Sequence, residues 1–247
     1  MNDPYEIDVA IIGAGVVGLA VGWEVVRRGS ARAGRVFVLE RNATVGQETS
    51  SRNSGVLHSG IYYETGSLKA RLCVEGAERL RALCVDADLN HRLDGKLIVA
   101  RSQDEEPLLE HLYRLGTANG ARDLRIVGRS ELARLEPRVC GRAALLSPHT
   151  GVVDPWELVQ HLKTRYLAGG GELLCRAAVT GIVPQAKGGY RVRVQGPHEG
   201  PQGNGAEEVV SRVVVNAAGL QADRLAEAVG IDVRAAGYVQ HYCKGRY

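Results

Sequence analysis

D-V-A-I-I-G-A-G-V-V-G-L-A, Asp8 to Ala20, is the stretch whose reading decides the fold. After Asp8 it is an apolar run to Ile12, stopped by Gly13, which reads as a buried parallel strand. Val16 to Arg28 has helical character and stops at Gly29. Arg35 to Leu39 is a second strand, followed directly by Glu40. Gly13, Gly15 and Gly18 therefore sit where a strand turns into a helix. The first permits a tight turn, the second lets backbone approach a pyrophosphate, and the third lets helix and strand pack closely. The amides that open the helix, with Ala14 and Val17 among them, face the phosphates and add the favourable end of the helix dipole. Glu40 lies 22 residues beyond Gly18, where the pattern expects an acid about 20 residues on, bonded to a ribose hydroxyl pair. The competing reading is a helix-packing glycine cluster with a surface glutamate.

Working outward, residues 41 to 66 are rich in Gly, Ser, Thr and Asn, a long connection of the kind that carries function. Ser67 to Ala87 is an amphipathic helix with Leu68, Leu72, Ala77, Leu80, Leu83 and Cys84 near one face. The pattern then changes character. Strands are expected over Gly95 to Ala100 and Leu124 to Val127, and extended chain over Ala143 to Val153. Helices are expected over Glu105 to Asn119 and over Ser130 to Leu135, the latter capped by Ser130. Pro155 to Ala168 is a helix with Asp154 as its N-cap. It is followed by strands over Glu172 to Cys175, Val179 to Val183 and Val209 to Val215. Tyr190 to Val194 alternates and suggests an antiparallel edge, His198 to Gly205 is a polar turn, and Leu220 to Val229 is a helix. The expected class is α/β. A discontinuous Rossmann-like dinucleotide-binding domain (1–92 and 153–230) carries an inserted α+β substrate domain (93–152 and 231–247).

Bulk properties exclude several functions. The 247 residues are 45% hydrophobic and 24% charged, with a net charge of +3, too balanced for a nucleic-acid binder. The longest apolar run, Val9 to Trp23, is 15 residues and holds four glycines, against about 20 residues for a membrane span. The acidic start M-N-D-P-Y-E-I-D lacks the basic opening of a signal peptide. Cys73, Cys84, Cys140, Cys175 and Cys243 form no C-x-x-C pair, which excludes the common zinc spacings and fits a reducing compartment. No metal site is expected, and the cytoplasm is the expected location.

The glycine pattern serves NAD and FAD alike, so an NAD-linked dehydrogenase is the rival. Two features lean toward FAD. The polar loop E-T-S-S-R-N-S-G-V-L-H (Glu48 to His58) stands where an NAD domain enters its next crossover helix. The strand V-V-V-N-A-A-G (Val213 to Gly219) ends in the small residues Ala217, Ala218 and Gly219, which let backbone come close to a bulky ligand.

The chain resembles the D-amino-acid-oxidase-like superfamily of FAD-dependent oxidoreductases, and within it the L-2-hydroxyglutarate oxidases/dehydrogenases. The resemblance is carried by Gly13 to Ala20, by S-R-N-S-G-V-L-H-S-G-I-Y-Y (Ser51 to Tyr63) and by S-L-K-A-R-L-C-V-E-G (Ser67 to Gly76). Gly95 to Ala100, Ser147 to Asp154, Asn216 to Asp223 and Cys243 to Tyr247 add to it. It implies FAD across the N-terminal domain, Val179 beside the adenine, and Ser51, Arg52, Asn53, Ser54, Gly55 and His58 along the flavin, with Arg41 also among the cofactor-binding residues. It also implies oxidation of an L-2-hydroxy acid, first of all L-2-hydroxyglutarate to 2-oxoglutarate, with electrons passed to oxygen or a quinone. An amine or amino-acid oxidase of the same superfamily is the alternative. Family members are longer, so a C-terminally truncated chain is expected, with an inactive fragment as a further alternative. Contact with a membrane would be peripheral.

Oxidising a 2-hydroxy acid needs a hydride acceptor, a base for the hydroxyl proton and a clamp for the carboxylate. His58 is the candidate base, because an imidazole titrates near neutrality; a structural or flavin-contacting histidine is the other reading. Tyr62 and Lys69 are candidate carboxylate contacts, with a packing tyrosine and a surface lysine as alternatives. Lys244 and Arg246 are candidates for a distal-carboxylate contact, with charges on a frayed chain end as the favoured reading.

Overall fold

Strand β1 (Tyr5–Ile12) is buried from Ile7 onward on both of its faces, which only a strand interior to a sheet achieves. In this computed structural model, which describes residues 5–29, 35–196, 206–243 and 245, it leads through the glycine turn into α1 (Val16–Arg27) and on to β2 (Val36–Glu40). β1 and β2 pair in parallel, Val9 opposite Val36 and Ile12 opposite Leu39. The chain folds as two compact units. One comprises residues 1–53 and 155–247, the other residues 54–154 inserted between them.

The inserted unit begins at β3 (Val56–Leu57) and α2 (Leu68–Asp86), followed by β4 (His91–Arg92), β5 (Lys96–Ala100) and α3 (Glu106–Ala118). Then come β6 (Arg125–Gly128), α4 (Arg129–Leu135), β7 (Ala143–Ser147) and β8 (Gly151–Val153). The strands form two antiparallel three-stranded sheets, ordered β3-β8-β4 and β5-β7-β6. Ile61, Ala100, Leu109, Leu112, Leu124 and Leu145 form its main core. Leu57, Cys84 and Val153 form a second cluster, which ties α2 to this unit.

α4 starts at Arg129 with Gly128 in the capping position, so Ser130 lies inside the helix and caps nothing. On α2 the buried residues are Ala70 and Cys84, whereas Leu68 and Leu72 are exposed. α2 passes close to the Gly60 turn, where a Cβ on Gly60 would stand 2.7 Å from the Val74 side chain and 3.9 Å from Ala70 O. Ser67 does cap α2, its Oγ accepting the Ala70 amide at 3.1 Å.

The chain returns to the first unit with α5 (Pro155–Ala168), β9 (Glu172–Cys175), β10 (Ala178–Pro184), β11 (Tyr190–Gln195), β12 (Ala206–Asn216) and α6 (Ala222–Ala228). Its six-stranded sheet runs β10-β11-β12-β1-β2-β9. β12, β1, β2 and β9 are parallel, and β10 to β12 form an antiparallel extension. β11 is therefore interior, and the edge is β10. Its alternation reflects one face packed on the core, with Val192 and Val194 buried, and one face in solvent. The expected helix over 220–229 divides into a 3-10 turn (Gly219–Gln221) and α6. The polar turn at 198–205 lies outside the described residues. α5 is fastened by Tyr166, whose fully buried hydroxyl sits 2.6 Å from Val36 O and 2.8 Å from Glu172 O.

Candidate functional site

Gly13 adopts φ +104°, and its amide donates to Leu39 O at 2.8 Å while Ala217 N donates to Ile12 O at 3.0 Å. A Cβ on Gly13 would stand 2.5 Å from Ala217 O, so only glycine lets the turn pass the end of β12. A Cβ on Gly18 would overlap Gly13 O, so the third glycine seats α1 against its own turn. Gly15 precedes α1 in extended backbone and faces the Oγ of Ser50. That hydroxyl accepts the Val16 amide at 2.9 Å, satisfying one of the donors that a helix start leaves free.

Glu40 is buried at the end of β2. Its Oε2 accepts the Ala14 amide at 2.8 Å, and its Oε1 accepts the backbone and side-chain nitrogens of Asn42 at 2.8 and 2.9 Å. One carboxylate thus holds the glycine turn and the following loop together, with lone pairs left for hydroxyl donors. Arg41 pairs with Glu48 at 2.9 Å, and this guanidinium, with Asn42 as a second donor, holds the Glu48 carboxyl below its ordinary range.

These groups surround a cavity of about 750 Å³ that lies wholly in the first unit. Gly13, Gly15 and Val17 form its helix end. Glu40, Arg41, Glu48, Thr49, Ser50 and Asn53 form its polar side, and Val179, Leu225 and Ala228 an apolar side. Ala217, Ala218 and Gly219 close the floor. Asn216 pins that floor, donating to Ala222 O at 2.7 Å and accepting the Ala218 amide at 3.3 Å.

Ten of the expected cofactor residues thus converge: Gly13, Gly15, Val17, Glu40, Arg41, Asn53, Val179, Ala217, Ala218 and Gly219. Ala14 and Gly18 do not line the cavity; the first is buried behind the turn and bonded to Glu40, the second packs the helix. Ser51 and Arg52 are exposed and outside the lining, with Ser51 Oγ donating to Glu48 O at 3.1 Å. Ser50 was not anticipated, and nothing in T-S-S-R-N-S separates it from its neighbours.

The remaining candidates belong to the inserted unit. Gly55 (φ +65°) accepts the Val153 amide at 2.9 Å through its carbonyl and follows the exposed Ser54. His58 is exposed, and its carbonyl accepts from the Cys73 thiol at 3.4 Å. Partial burial, and secondarily the charge of Lys96, hold its imidazole below the ordinary histidine value. The chain turns between His58 and Tyr63, and Asn119 Nδ2 fixes the turn by donating to Gly60 O and Tyr63 O at 2.9 and 2.6 Å. Lys96 Nζ lies 4.5 Å from the Tyr62 ring centroid, and Lys69 Nζ 4.7 Å from that of Tyr63. Lys96 was not singled out from the sequence, because a lysine opening a strand reads as a solubilising charge. Lys244 and Arg246 lie outside the described residues. Among the described residues no cluster of His, Cys, Asp and Glu could hold a metal, all five cysteines are free, and no helix is long and apolar enough to cross a membrane.

The model of the FAD dependent oxidoreductase (DAO) family matches residues 8–246. The chain is 36% identical over 226 residues to the mitochondrial L-2-hydroxyglutarate dehydrogenase of Nematostella vectensis, covering 90% of this chain and 49% of that protein. It is 36% identical over 227 residues to the human mitochondrial protein of the same name, covering 91% and 48%. The chain thus spans about half the length of these curated relatives. Among solved structures, the FAD-bound, dithionite-reduced L-α-glycerophosphate oxidase of Mycoplasma pneumoniae superposes with a TM-score of 0.79 at 27% identity, covering 92% of this chain and 58% of that one.

Proposed function

The chain belongs to the FAD dependent oxidoreductase family, and from that premise we propose that it binds FAD in the first unit and oxidises an L-2-hydroxy acid. L-2-hydroxyglutarate, going to 2-oxoglutarate, is the proposed substrate, supported by the relatives of that name. The observation that carries the cofactor is the convergence of three unlike surfaces on one cavity. These are the start of α1, the Glu40 carboxylate and the apolar wall at Val179. They match a pyrophosphate, a ribose diol and an adenine in turn. Ala14 and Gly18 serve this site by shaping the turn, and Ser51, Arg52, Ser54 and Gly55 are proposed for the flavin end.

FAD, when bound, supplies the acceptor for the hydride that leaves C2 of the substrate. His58 takes the hydroxyl proton as C2–O becomes a carbonyl, so two electrons and one proton go to the acceptor and one proton to the imidazole. Its lowered proton affinity keeps the ring neutral, as a base requires, at neutral pH. Tyr62, Lys69 and Lys244 are proposed to hold the carboxylates. In this reading the first unit holds the cofactor, and the proposed substrate contacts Tyr62 and Lys69 belong to the inserted unit. Oxygen or a quinone is the proposed electron acceptor. The five free cysteines support a reducing compartment such as the cytoplasm, and the two relatives above are named as mitochondrial.

An absorbance spectrum of the purified chain with added FAD, followed by anaerobic L-2-hydroxyglutarate, tests the reading. Flavin bands that bleach are expected. A chain that stays colourless overturns the cofactor assignment; bands that persist overturn the substrate.

A further inference from the structure

Consecutive tyrosines of the inserted unit each lie beneath an ammonium group from a different element. Lys69, from the first turn of α2, covers Tyr63, and Lys96, from the start of β5, covers Tyr62. Among the described residues neither lysine pairs with a carboxylate. Asp94, the acid nearest Lys96 in the chain, is taken by Arg92 at 3.2 Å. Lys96 is half-buried, and a cation that has left water without a counter-ion has its strongest unmet interaction with an anion.

The surrounding frame is rigid. Lys96 stands opposite Ser147 in the β5–β7 register. Ser147 is fully buried, and its hydroxyl lies 2.9 Å from both Ser59 Oγ and Thr150 Oγ1, with Ser59 and Thr150 3.2 Å apart. This closed triangle of hydroxyls fastens the residue next to His58 onto the strand beside Lys96. The charge of Lys96 accordingly reaches the His58 ring.

We propose that Lys96 over Tyr62 and Lys69 over Tyr63 form a paired clamp for the two carboxylates of a dicarboxylate substrate, with Lys96 the arm that lies beside His58. The clamp rests on the reading of the inserted unit as the substrate side. It makes Lys96 a specificity-determining residue: one ammonium suffices for a 2-hydroxy monocarboxylate, whereas two reward a second carboxylate.

Glutarate and butyrate, titrated calorimetrically into the purified chain, separate the clamp from the redox chemistry because neither can be oxidised as a 2-hydroxy acid. Glutarate is expected to bind about tenfold or more tightly than butyrate. Lys96→Met should abolish that preference and Lys96→Arg should retain it. Absence of the preference in the wild-type chain, or its survival in Lys96→Met, overturns the clamp. Should Lys96→Met fail to fold, reductive ¹³C-methylation of the wild-type lysines gives a second readout. The Lys96 and Lys69 signals, assigned with the arginine variants, should move with glutarate while those of Lys163 and Lys187 stay; a stationary Lys96 signal is fatal. A clamp that binds glutarate in a chain that leaves L-2-hydroxyglutarate unoxidised would sink the proposed reaction only. Oxidation that is indifferent to Lys96→Met would sink the clamp only.

Discussion

The carboxylate of Glu40 and the backbone amide of Ala14 are joined by a buried hydrogen bond of 2.8 Å, across 26 residues of chain. The acid at the end of β2 thus shapes the glycine turn in the free chain, and the proposed ribose diol would meet an acceptor already held in place. Glu40→Ala strands the amides of Ala14 and Asn42. It is expected to lower unfolding free energy by about 1–3 kcal/mol, measured by urea denaturation without cofactor. An unchanged midpoint and slope would remove Glu40 from its structural role.

Gly18→Ala and Gly15→Val should fail in different ways. The alanine methyl overlaps Gly13 O, so the apoprotein should lose about 1–3 kcal/mol. A Cβ at 15 meets Ser50 Oγ at 3.0 Å, the acceptor of the Val16 amide, so Gly15→Val should cost the apoprotein that cap while lowering FAD retention more. Normal flavin content in Gly15→Val would mean that the pyrophosphate does not approach there.

Ser50→Ala removes the acceptor of the Val16 amide. A loss of about 1 kcal/mol in the apoprotein is expected, as for other helix caps. A thermal melt with no shift would show that solvent serves that amide equally well.

His58 has a proton affinity below that of a free imidazole, first through burial and then through Lys96. The imidazole therefore stays neutral as pH falls past the ordinary histidine value, and with His58 as the proposed base the acid limb of kcat/KM should lie below it. Since the folded pKa is the depressed one, the group's share of stability is complete above the unfolded value. That share declines as pH drops through the unfolded value toward the folded one. Lys96→Met removes the second cause, so the limb should move upward. A limb at or above the ordinary value in the wild type would exclude His58 as the base.

Tyr166→Phe deletes a buried hydroxyl placed between Val36 O and Glu172 O. A cost of about 1–2 kcal/mol is expected. Burial also pushes the phenol well above its usual range, so an alkaline absorbance titration should leave Tyr166 un-ionised until the chain unfolds.

Much of the first unit was legible because its constraints are local. A strand, three glycines at fixed spacing and an acid after the next strand leave little freedom, and Gly13, Gly18 and Glu40 each have a steric or hydrogen-bonding reason to be what they are. Ser50 was not legible, because its partner is an amide 34 residues away in a loop with several hydroxyls. β11 read as an edge because alternation reports one wet face, not a missing neighbour. The buried face of α2 was misjudged because hydropathy favours leucine, whereas the helix buries the small Ala70 and Cys84. Lys96 became visible only when the fold set it over Tyr62.

β1 sits between β2 and β12, and its register with β12 matches Ile12 to Asn216. During synthesis, one side of β1 therefore stays uncovered until the chain has emerged as far as residue 216. The inserted unit, continuous from residue 54 to residue 154, meets no such delay and can close while the first unit is still half built. Pulse-labelled amide exchange during refolding should protect β5 and β7 before the β12-facing side of β1. The cavity proposed for the cofactor, whose floor is Ala217 to Gly219, is then completed after the inserted unit, and a nascent chain can fill it only once those residues have been made.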